Sequence, residues 1–177
     1  YNRKDLLLMC IRHLRAQTLQ PDKILVINNN SSDGTEDALD KHEVDYITQE
    51  NTGSAGGWFT AINFALENNF DACWLMDDDG FPDQKALRVL SSKLSSDIAC
   101  ASSVVLKQDD QGSFVFPFPV LNKNNFPVLI GFKRRFFSLN EIDGKLKNNE
   151  YPFAHLFNGA LLNMSLVLKA GNINKDY

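Results

Sequence analysis

The stretch Trp74-Leu75-Met76-Asp77-Asp78-Asp79-Gly80 decides the fold of this chain. Three consecutive carboxylates follow a short apolar run, and such a run indicates a buried strand that ends where the acidic residues begin. Adjacent like charges repel one another, so the cluster must be solvated or neutralised by a bound cation. The simpler interpretation is an acidic turn before a helix whose first turn contains Pro82 and Asp83. The sequence upstream of the triplet favours a functional role.

Two apolar runs upstream also end in polar loops. The predicted strand 23–28 continues into the polar stretch 28–35, and the predicted strand 44–48 continues into the glycine-rich stretch 50–57. Helical spacing of apolar residues is found at 5–19, 36–41 and 57–68. This βαβαβ order predicts a parallel sheet covered by helices on both faces. The polar loops are then expected together at the carboxyl ends of the strands.

The chain beyond the triplet becomes more irregular. A helix is predicted over 82–94 and a strand over 98–106. The apolar segments 128–137 and 156–162 are predicted to be strands or buried segments, and 165–170 is predicted to be a short helix. We therefore expect a β-rich second half.

The composition indicates one domain with balanced charge. Of 177 residues, 44% are hydrophobic, which suffices for one substantial core. The 18 basic and 22 acidic residues give no overall attraction to nucleic acid or anionic lipid, and we expect no nucleic-acid partner. Cys10, Cys73 and Cys100 lie far apart in apolar surroundings, so we expect reduced core residues of a cytosolic protein.

The two ends of the chain lack the features of a complete domain. The sequence begins at Tyr1 directly on a helical pattern, and it stops at Tyr177 without a closing element. We therefore expect a fragment that is incomplete at both ends. No apolar run approaches the ~20 residues of a transmembrane helix, so no membrane span is expected in this chain.

Four motifs, taken in order, resemble one protein family. They are Tyr-Asn-Arg at 1–3, Asn-Asn-Ser-Ser-Asp-Gly-Thr at 29–35, Glu-Asn-x-Gly-x-x-Gly-Gly at 50–57 and Asp-Asp-Asp-Gly at 77–80. The set resembles the family 2 glycosyltransferases of the GT-A fold, and most closely their bacterial galactofuranosyl and rhamnosyl transferase branch. The resemblance implies an α/β GT-A fold, with a Rossmann-like, mixed and mainly parallel sheet flanked by helices. It covers nearly the whole chain, and it implies that 1–177 is a single domain, incomplete at both ends.

The resemblance also implies a function for each half of the domain. Residues 1–106 would form a nucleotide-binding half and residues 107–177 an acceptor-side half. The implied enzyme transfers a sugar from a UDP- or dTDP-linked donor to a saccharide or lipid-linked acceptor, with inversion and with a divalent metal. The implied location is cytoplasmic, with the inner face of the cell membrane as an alternative.

The acidic triplet is the implied metal site. A Mg²⁺ or Mn²⁺ ion would neutralise the donor diphosphate as a Lewis acid. The resemblance gives Asp77 and Asp79 as metal residues: Asp79 would bind the ion directly, and Asp77 would contact the ribose or act through water. Asp78 would face the donor sugar or support the turn, because alternate side chains at a strand end point to opposite sides.

The loops before the triplet are implied to contact the nucleotide through Asn28, Asn29, Asn51 and Gly53. Family members commonly have a base-reading aspartate where Asn28 stands. Its carbonyl oxygen can still accept a hydrogen bond from the base N3–H, without charge assistance. Glycines allow a close backbone approach to a ligand, although an ordinary turn before a helix explains them equally well. For Asp33, helix capping is favoured over ligand binding.

In the second half, His155 and Asn158 lie where relatives place acceptor-side residues near the donor sugar. Both are therefore expected in the cleft, with local turn structure as the alternative. The basic triplet 133–135 would meet phosphate or an anionic acceptor lipid, or form a solvated face. Trp58 is expected to pack in the core rather than stack on a sugar.

The implied reaction is a single displacement. The acceptor hydroxyl attacks the anomeric carbon, a carboxylate takes its proton, and the metal stabilises the departing nucleotide. Relatives carry that base in an acidic motif after a segment like 158–177. We therefore expect the base after Tyr177 and no catalytic base within the chain. Two alternatives are a nucleotidyltransferase, which would show a glycine-rich basic loop after its first strand, and an inert sugar-nucleotide-binding module.

Overall fold

The computed structural model describes residues 1–156 and 158–174. The helices are α1 (Lys4–Arg15), α2 (Thr35–Lys41), α3 (Gly53–Glu67), α4 (Ala86–Ser91), α5 (Leu139–Ile142) and α6 (Met164–Ala170). The strands are β1 (Leu25–Asn28), β2 (Asp45–Thr48), β3 (Ala72–Leu75), β4 (Cys100–Ser102), β5 (Ser113–Pro119), β6 (Arg135–Ser138) and β7 (Ala160–Asn163). Helices and strands alternate through the first half, as the sequence predicts.

The first two strands form a parallel ladder joined by α2. Leu25 lies opposite Asp45, and Asn28 lies opposite Thr48. Both strands end at the same edge of this ladder, so the polar stretches that follow them start side by side.

A second sheet has the order β3-β7-β4 and is antiparallel. β7 comes from the far end of the chain and lies between β3 and β4, which run in the same direction because both are antiparallel to it. β5 and β6 form a third, antiparallel ladder. The α/β class is confirmed, and the sheets are mixed. Among the described residues the parallel pairing is limited to β1 and β2, because β7 inserts in the opposite direction.

Helix α3 connects the first two sheets, since it packs against both β1 and β3. A cavity of about 800 Å³ lies between these strands. Val26 and Ile27 line one wall, and Cys73 and Leu75 line the other. The polar residues that follow β1, β2 and β3 line the same cavity, so the functional loops and the inter-sheet cleft are continuous.

Several buried clusters fix these elements. Their buried members are Ile11, Leu39 and Val44 around α1 and α2; Ile62, Ala65, Leu75, Leu162 and Met164 around α3; Leu87, Leu90 and Leu161 around α4; and Phe114, Phe118, Phe136 and Ile142 in the β5–β6 unit. The β5–β6 unit thus has an aromatic core of its own. The clusters around α3 and α4 share the β3-β7-β4 sheet.

Several boundaries differ from the sequence prediction. Helix α1 ends at Arg15 and not at residue 19, and β4 is limited to Cys100–Ser102 within the predicted strand 98–106. Helix α3 begins at Gly53, so the glycine-rich stretch is its first turn and not a loop before it. Helix α4 is limited to Ala86–Ser91. The predicted buried segment 128–137 is wrong for its first part, since β6 starts only at Arg135 and residues 129–134 are exposed. The predicted segment 156–162 includes residue 157, which lies outside the described residues.

The described residues contain no helix that is both long enough and apolar enough to cross a bilayer.

Candidate functional site

The acidic triplet forms a tight turn at the end of β3. The amide of Gly80 donates to the carbonyl oxygen of Asp77 at 3.0 Å. A Cβ at Gly80 would lie 2.4 Å from Asn158 Oδ1 and 2.5 Å from Met76 Sδ, which is closer than real contacts allow. A larger residue here would displace the Asn158 or Met76 side chain, and the turn is packed against the segment before β7.

Asp77 and Asp78 of the triplet are half-buried, and Asp79 is exposed. The Asp77 carboxylate accepts a hydrogen bond from the Trp58 side chain, and its backbone amide donates to Asn158 Oδ1 at 3.3 Å. Burial raises the pKa of Asp77, the charges of Asp79 and Asp78 raise it further, and Arg3 partly offsets them. Trp58 also packs against the core around α3. Trp58 thus makes the predicted core contact and also lines the cavity, so its choice between core packing and sugar stacking stays a prediction.

Arg3 holds the other two carboxylates together. Its Nη1 lies 3.0 Å from Asp78 Oδ1 and 3.0 Å from Asp79 Oδ2. These bonds raise the pKa of Arg3, so the guanidinium is charged whenever the carboxylates are. The sequence analysis did not assign Arg3 to the site, although the Tyr-Asn-Arg motif was the available signal.

A hydrogen-bonded chain joins the loops that follow β1 and β2. Gln49 Nε2 donates to Asn29 Oδ1 at 2.9 Å, and Asn29 Nδ2 donates to the carbonyl of Gly53 at 3.2 Å. The amide of Gly53 in turn donates to Asn51 Oδ1 at 3.1 Å. Gln49, which the sequence analysis overlooked, thus positions Asn29 beside the start of α3.

Two buried glycines lie in the first turn of α3. A Cβ at Gly56 would lie 1.8 Å from Thr52 Oγ1, so only glycine fits there without a rearrangement. A Cβ at Gly57 would lie 3.7 Å from Asn29 Nδ2, which is ordinary contact. The first turn of α3 therefore sits directly against the β1 loop.

The loops meet in one cavity of about 800 Å³. Its polar lining includes Arg3, Asn29, Asn51, Gly53, Asp77, Asp78 and Asp79. Six of these seven are residues that the sequence analysis selected. The carboxyl ends of β1, β2 and β3 thus supply amides and carboxylates to a common space, which is where open α/β sheets bind ligands.

Asn28 occupies a closed polar network. It is 3% exposed, and its Nδ2 donates to Glu36 Oε1 at 3.0 Å and to Thr48 Oγ1 at 3.2 Å. Its Oδ1 accepts from the amide of Ser31 at 3.0 Å. The observed contacts of Asn28 fix the polar loop and the β1–β2 ladder. Recognition of a base by Asn28 stays a prediction.

Asp33 caps a different helix from the one expected. Its Oδ2 accepts from the amide of Lys4 in the first turn of α1 at 2.9 Å, and its Oδ1 accepts from Thr35 Oγ1 at 2.5 Å. The Thr35 hydroxyl is the main cause of the lowered pKa of Asp33. The residue at the N-cap of α2 is Gly34, with φ of 79°. Asp33 thus ties the β1 loop to α1, and so to Arg3.

The two predicted residues of the second half lie outside the cavity lining. Asn158 supports the acidic turn through Asp77 and Gly80. His155 packs among aromatic rings, with ring centroids 4.7 Å from Phe118 and 5.1 Å from Phe153. Burial lowers the pKa of His155, so the ring is neutral at physiological pH. Its Nε2 is buried without a hydrogen-bond partner in the described part of the chain.

Cys10 of α1 also lines the cavity. Its Sγ lies 3.5 Å from the carbonyl oxygen of Asp77. Burial and the nearby aspartates raise its pKa to about 12. Burial raises the pKa of Cys73 to about 11 and raises that of Cys100 as well. All three thiols are free, as predicted.

The triplet fits a cation that also has ligands from a substrate. Within residues 1–156 and 158–174, no group of three or more His, Cys, Asp or Glu side chains converges in a way that could hold a metal alone. Mg²⁺ and similar ions are commonly held by one or two carboxylates together with substrate phosphates and water. Asp77 and Asp79 supply carboxylates of that kind at the cavity wall.

An α/β domain with glycines, amides and carboxylates at one rim has the architecture of a nucleotide-binding domain. The chain matches the model of the family "Glycosyl transferase family 2" over residues 1–156. It therefore belongs to the family 2 glycosyltransferases.

Two bacterial relatives and one solved structure are similar to this chain. Galactofuranosyltransferase GlfT1 of Mycobacterium tuberculosis is 30% identical over 97% of this chain and 55% of its own length. GlfT1 of Mycolicibacterium smegmatis is 28% identical over 66% of this chain and 40% of its own length. The mannosyltransferase PcManGT from Pyrobaculum calidifontis, solved in complex with GDP-Man and Mn²⁺, has a TM-score of 0.60 at 18% identity. That comparison covers 99% of this chain and 46% of the other, and it confirms the GT-A-like fold.

The chain thus spans about half the length of the curated relatives it matches.

Proposed function

We propose that this domain binds a nucleotide diphosphate sugar in the cavity and takes part in transfer of the sugar to a saccharide or lipid-linked acceptor. The donor is UDP- or dTDP-linked, and the reaction is inverting and metal-dependent. One observation carries the proposal: the acidic triplet and the Asn29, Asn51 and Gly53 loops line a common cavity. Carboxylates, side-chain amides and glycine backbone thus line one space, which suits a diphosphate held through a cation.

Asp77 and Asp79 would hold a divalent ion in this cavity. Mg²⁺ and Mn²⁺ are both suitable, and the ion would neutralise charge on the diphosphate as the bond to the sugar breaks. The Mn²⁺ of the mannosyltransferase structure supports a metal of this class. The Trp58 hydrogen bond orients Asp77, and Asp79 is paired with Arg3, which an incoming ion would have to displace.

Asn29, Asn51 and Gly53 would contact the nucleotide. Asn29 and Asn51 are held by hydrogen bonds to backbone groups of Gly53. This preorganisation lowers the entropic cost of ordering the loop when the nucleotide binds. Asn28 would act through the loop that it holds.

Residues 1–106 would bind the donor, and residues 107–177 would form the acceptor side. Asn158 would connect the two halves, because it belongs to the second and its Oδ1 accepts a hydrogen bond from the backbone amide of Asp77 in the first. The separate aromatic core of the β5–β6 unit supports this division. We place the domain on the cytoplasmic side, at the inner face of the cell membrane.

Isothermal titration calorimetry tests the donor site directly. UDP, dTDP and GDP are titrated into the protein with and without Mn²⁺, and Asp79→Asn is compared with the exposed control Asp109→Asn. We expect pyrimidine nucleotides to bind more tightly with Mn²⁺, and Asp79→Asn to weaken that binding by at least about tenfold. The control should bind like the unmodified protein.

Absence of metal-dependent nucleotide binding would contradict the proposal. Preferential binding of UTP with release of pyrophosphate would indicate a nucleotidyltransferase instead. Binding of GDP in preference to UDP and dTDP would overturn the donor assignment while keeping the site.

A further inference from the structure

The connection between β5 and β6 presents large apolar side chains to solvent. Phe126 is 66% exposed, Leu129 79%, Ile130 91% and Phe132 114%. Exposed apolar residues are ordinary when they are scattered, but a group of four within seven consecutive positions marks an interaction surface. We call residues 120–134 the apolar loop.

The apolar loop has defined internal hydrogen bonds. At its base, Val120 N donates to the Arg134 carbonyl at 2.9 Å, and Val128 N donates to the Val120 carbonyl at 2.8 Å. Asn122 Oδ1 accepts from the amides of Asn124 at 2.8 Å and Phe126 at 3.1 Å. The strands that carry the loop are anchored by buried Phe118 and Phe136 (both 5% exposed). The fold therefore holds the apolar side chains outward on a fixed base.

The same segment carries a concentration of positive charge. Lys123, Lys133, Arg134 and Arg135 lie in 120–135, which contains no acidic residue, whereas the whole chain has a net charge of −4. Lys133 Nζ lies 3.3 Å from Glu141 Oε1, so its charge is partly compensated. Arg134 and Arg135 are exposed. Apolar and basic groups thus occur together where the chain is otherwise acidic.

We propose that the apolar loop docks on the surface of an anionic lipid bilayer. Apolar side chains enter the boundary between headgroups and acyl chains, and basic side chains attract anionic headgroups. A second copy of the chain would satisfy only the apolar part, because two such loops facing each other would bring like charges together. A lipid surface satisfies both parts.

This inference rests on the membrane-face location proposed above, and it gives that location a surface. The balanced total charge does not oppose it, because headgroup attraction acts over about one Debye length, ~10 Å, and depends on the local cluster. Lipid binding by the loop does not require nucleotide binding in the cavity. If the loop does not bind lipid, the nucleotide-binding proposal can still be tested, and the reverse also holds.

Vesicle sedimentation is the test. The protein is mixed with vesicles of phosphatidylcholine alone or of phosphatidylcholine with phosphatidylglycerol, at low and high salt. We expect binding to the anionic vesicles that weakens as salt is raised. The variant Ile130→Ser/Phe132→Ser should lower the partition coefficient by roughly tenfold or more. Arg134→Gln/Arg135→Gln should lower it by about fivefold for each charge removed.

Matched controls separate the loop from general effects. Leu168→Ser removes an exposed apolar side chain (71% exposed) from α6, and Lys41→Gln/Lys85→Gln removes two exposed charges elsewhere. Both should leave the partition coefficient within about twofold of the unmodified protein. Circular dichroism and UDP titration of every variant verify that folding and the cavity are intact.

Three results would overturn the proposal. The first is absence of binding to anionic vesicles, and the second is an equal loss of binding in the control variants. The third is that the loop variants change their oligomeric state on size-exclusion chromatography but bind vesicles as the unmodified protein does. The last result would assign the loop to an interface between copies of the chain.

Discussion

Arg3 Nη1 lies 3.0 Å from Asp79 Oδ2, and this ion pair links the start of α1 to the end of β3. The same nitrogen contacts Asp78, so one cation neutralises two of the three adjacent carboxylates. A divalent ion bound at Asp79 would perform the same neutralisation. Arg3 and the metal are therefore expected to compete for this carboxylate.

Arg3→Gln should raise the affinity for free Mn²⁺ by a few fold, because the carboxylates lose their competing cation. It should also lower the free energy of unfolding in metal-free buffer, by less than about 1 kcal/mol since Arg3 is half exposed. Added Mn²⁺ should then restore part of that stability, because the ion binds only the folded state. Calorimetric titration and thermal melts measure both effects. Weaker Mn²⁺ binding in Arg3→Gln would show that Arg3 supports the metal site instead.

The raised pKa of Asp77 predicts a specific pH dependence. The Asp77 carboxyl group binds its proton more tightly in the folded chain than in the unfolded chain. Its contribution to stability is therefore fully present below the unfolded pKa. It is lost as the pH rises through the folded pKa. Asp77→Asn should therefore raise the melting temperature at pH 7 by roughly 1 to 3 °C, and the gain should vanish in acid.

The same variant should lose metal-dependent UDP binding, because an amide is a poor ligand for Mg²⁺ or Mn²⁺. Asn keeps an oxygen that can accept the Trp58 hydrogen bond, so the change in charge is isolated. Thermal melts at a series of pH values measure the first effect. A variant that melts lower than the parent at pH 7 would contradict the assigned cost of burial.

Gly56→Ala should destabilise the chain by about 1 to 3 kcal/mol, because the new Cβ would lie 1.8 Å from Thr52 Oγ1. Gly144→Ala is the matched control, since a Cβ there meets nothing within 4 Å. The double variant Thr52→Gly/Gly56→Ala removes the clash and should recover part of the loss. Urea denaturation measures all three. Equal effects of Gly56→Ala and Gly144→Ala would refute the packing argument.

Asn28→Asp separates the observed role of Asn28 from base recognition. An aspartate would lose both donated hydrogen bonds and place a second carboxylate beside Glu36, which Asn28 Nδ2 contacts at 3.0 Å. We expect a loss of about 2 kcal/mol or more in the free energy of unfolding, because the site is buried.

Glu36→Gln in the Asn28→Asp background should restore a donor and recover much of this stability. Denaturation curves measure the coupling free energy between residues 28 and 36, and calorimetry measures the UDP affinity of the same variants. If Asn28→Asp were as stable as the parent and bound UDP more tightly, Asn28 would be a base-reading residue.

The first half of the fold follows closely from local sequence. Strands β1 and β2 and helix α2 were predicted within two residues of their observed ends, because each apolar run is short and bounded by turn residues. The glycine stretch 53–57 was predicted to precede α3, since glycine has low helix propensity. In the structure α3 nevertheless begins at Gly53, and Gly56 packs closely against the N-cap residue Thr52.

Contacts between segments that are distant in the sequence could not be predicted from local patterns. The insertion of β7 between β3 and β4 pairs Leu161 with Trp74 and with Ala101, and no local pattern encodes that register. Apolar content alone predicted burial for 128–137, but burial needs a packing partner that periodicity does not reveal. The shared cavity was predicted because parallel strands end at one rim. The contacts of Arg3 and Gln49 could not be predicted, because an arginine or a glutamine does not by itself indicate a binding site.

The raised pKa values of Cys10, Cys73 and Cys100 have a practical consequence for spectroscopy on this chain. Nucleophilic attack on a maleimide requires the thiolate, and burial lowers the thiolate fraction of these three thiols below that of an exposed cysteine. A cysteine introduced at a solvent-facing position, such as Phe132→Cys, should therefore be alkylated selectively without removal of the native thiols. A single fluorophore could then report from that position on an otherwise unaltered molecule.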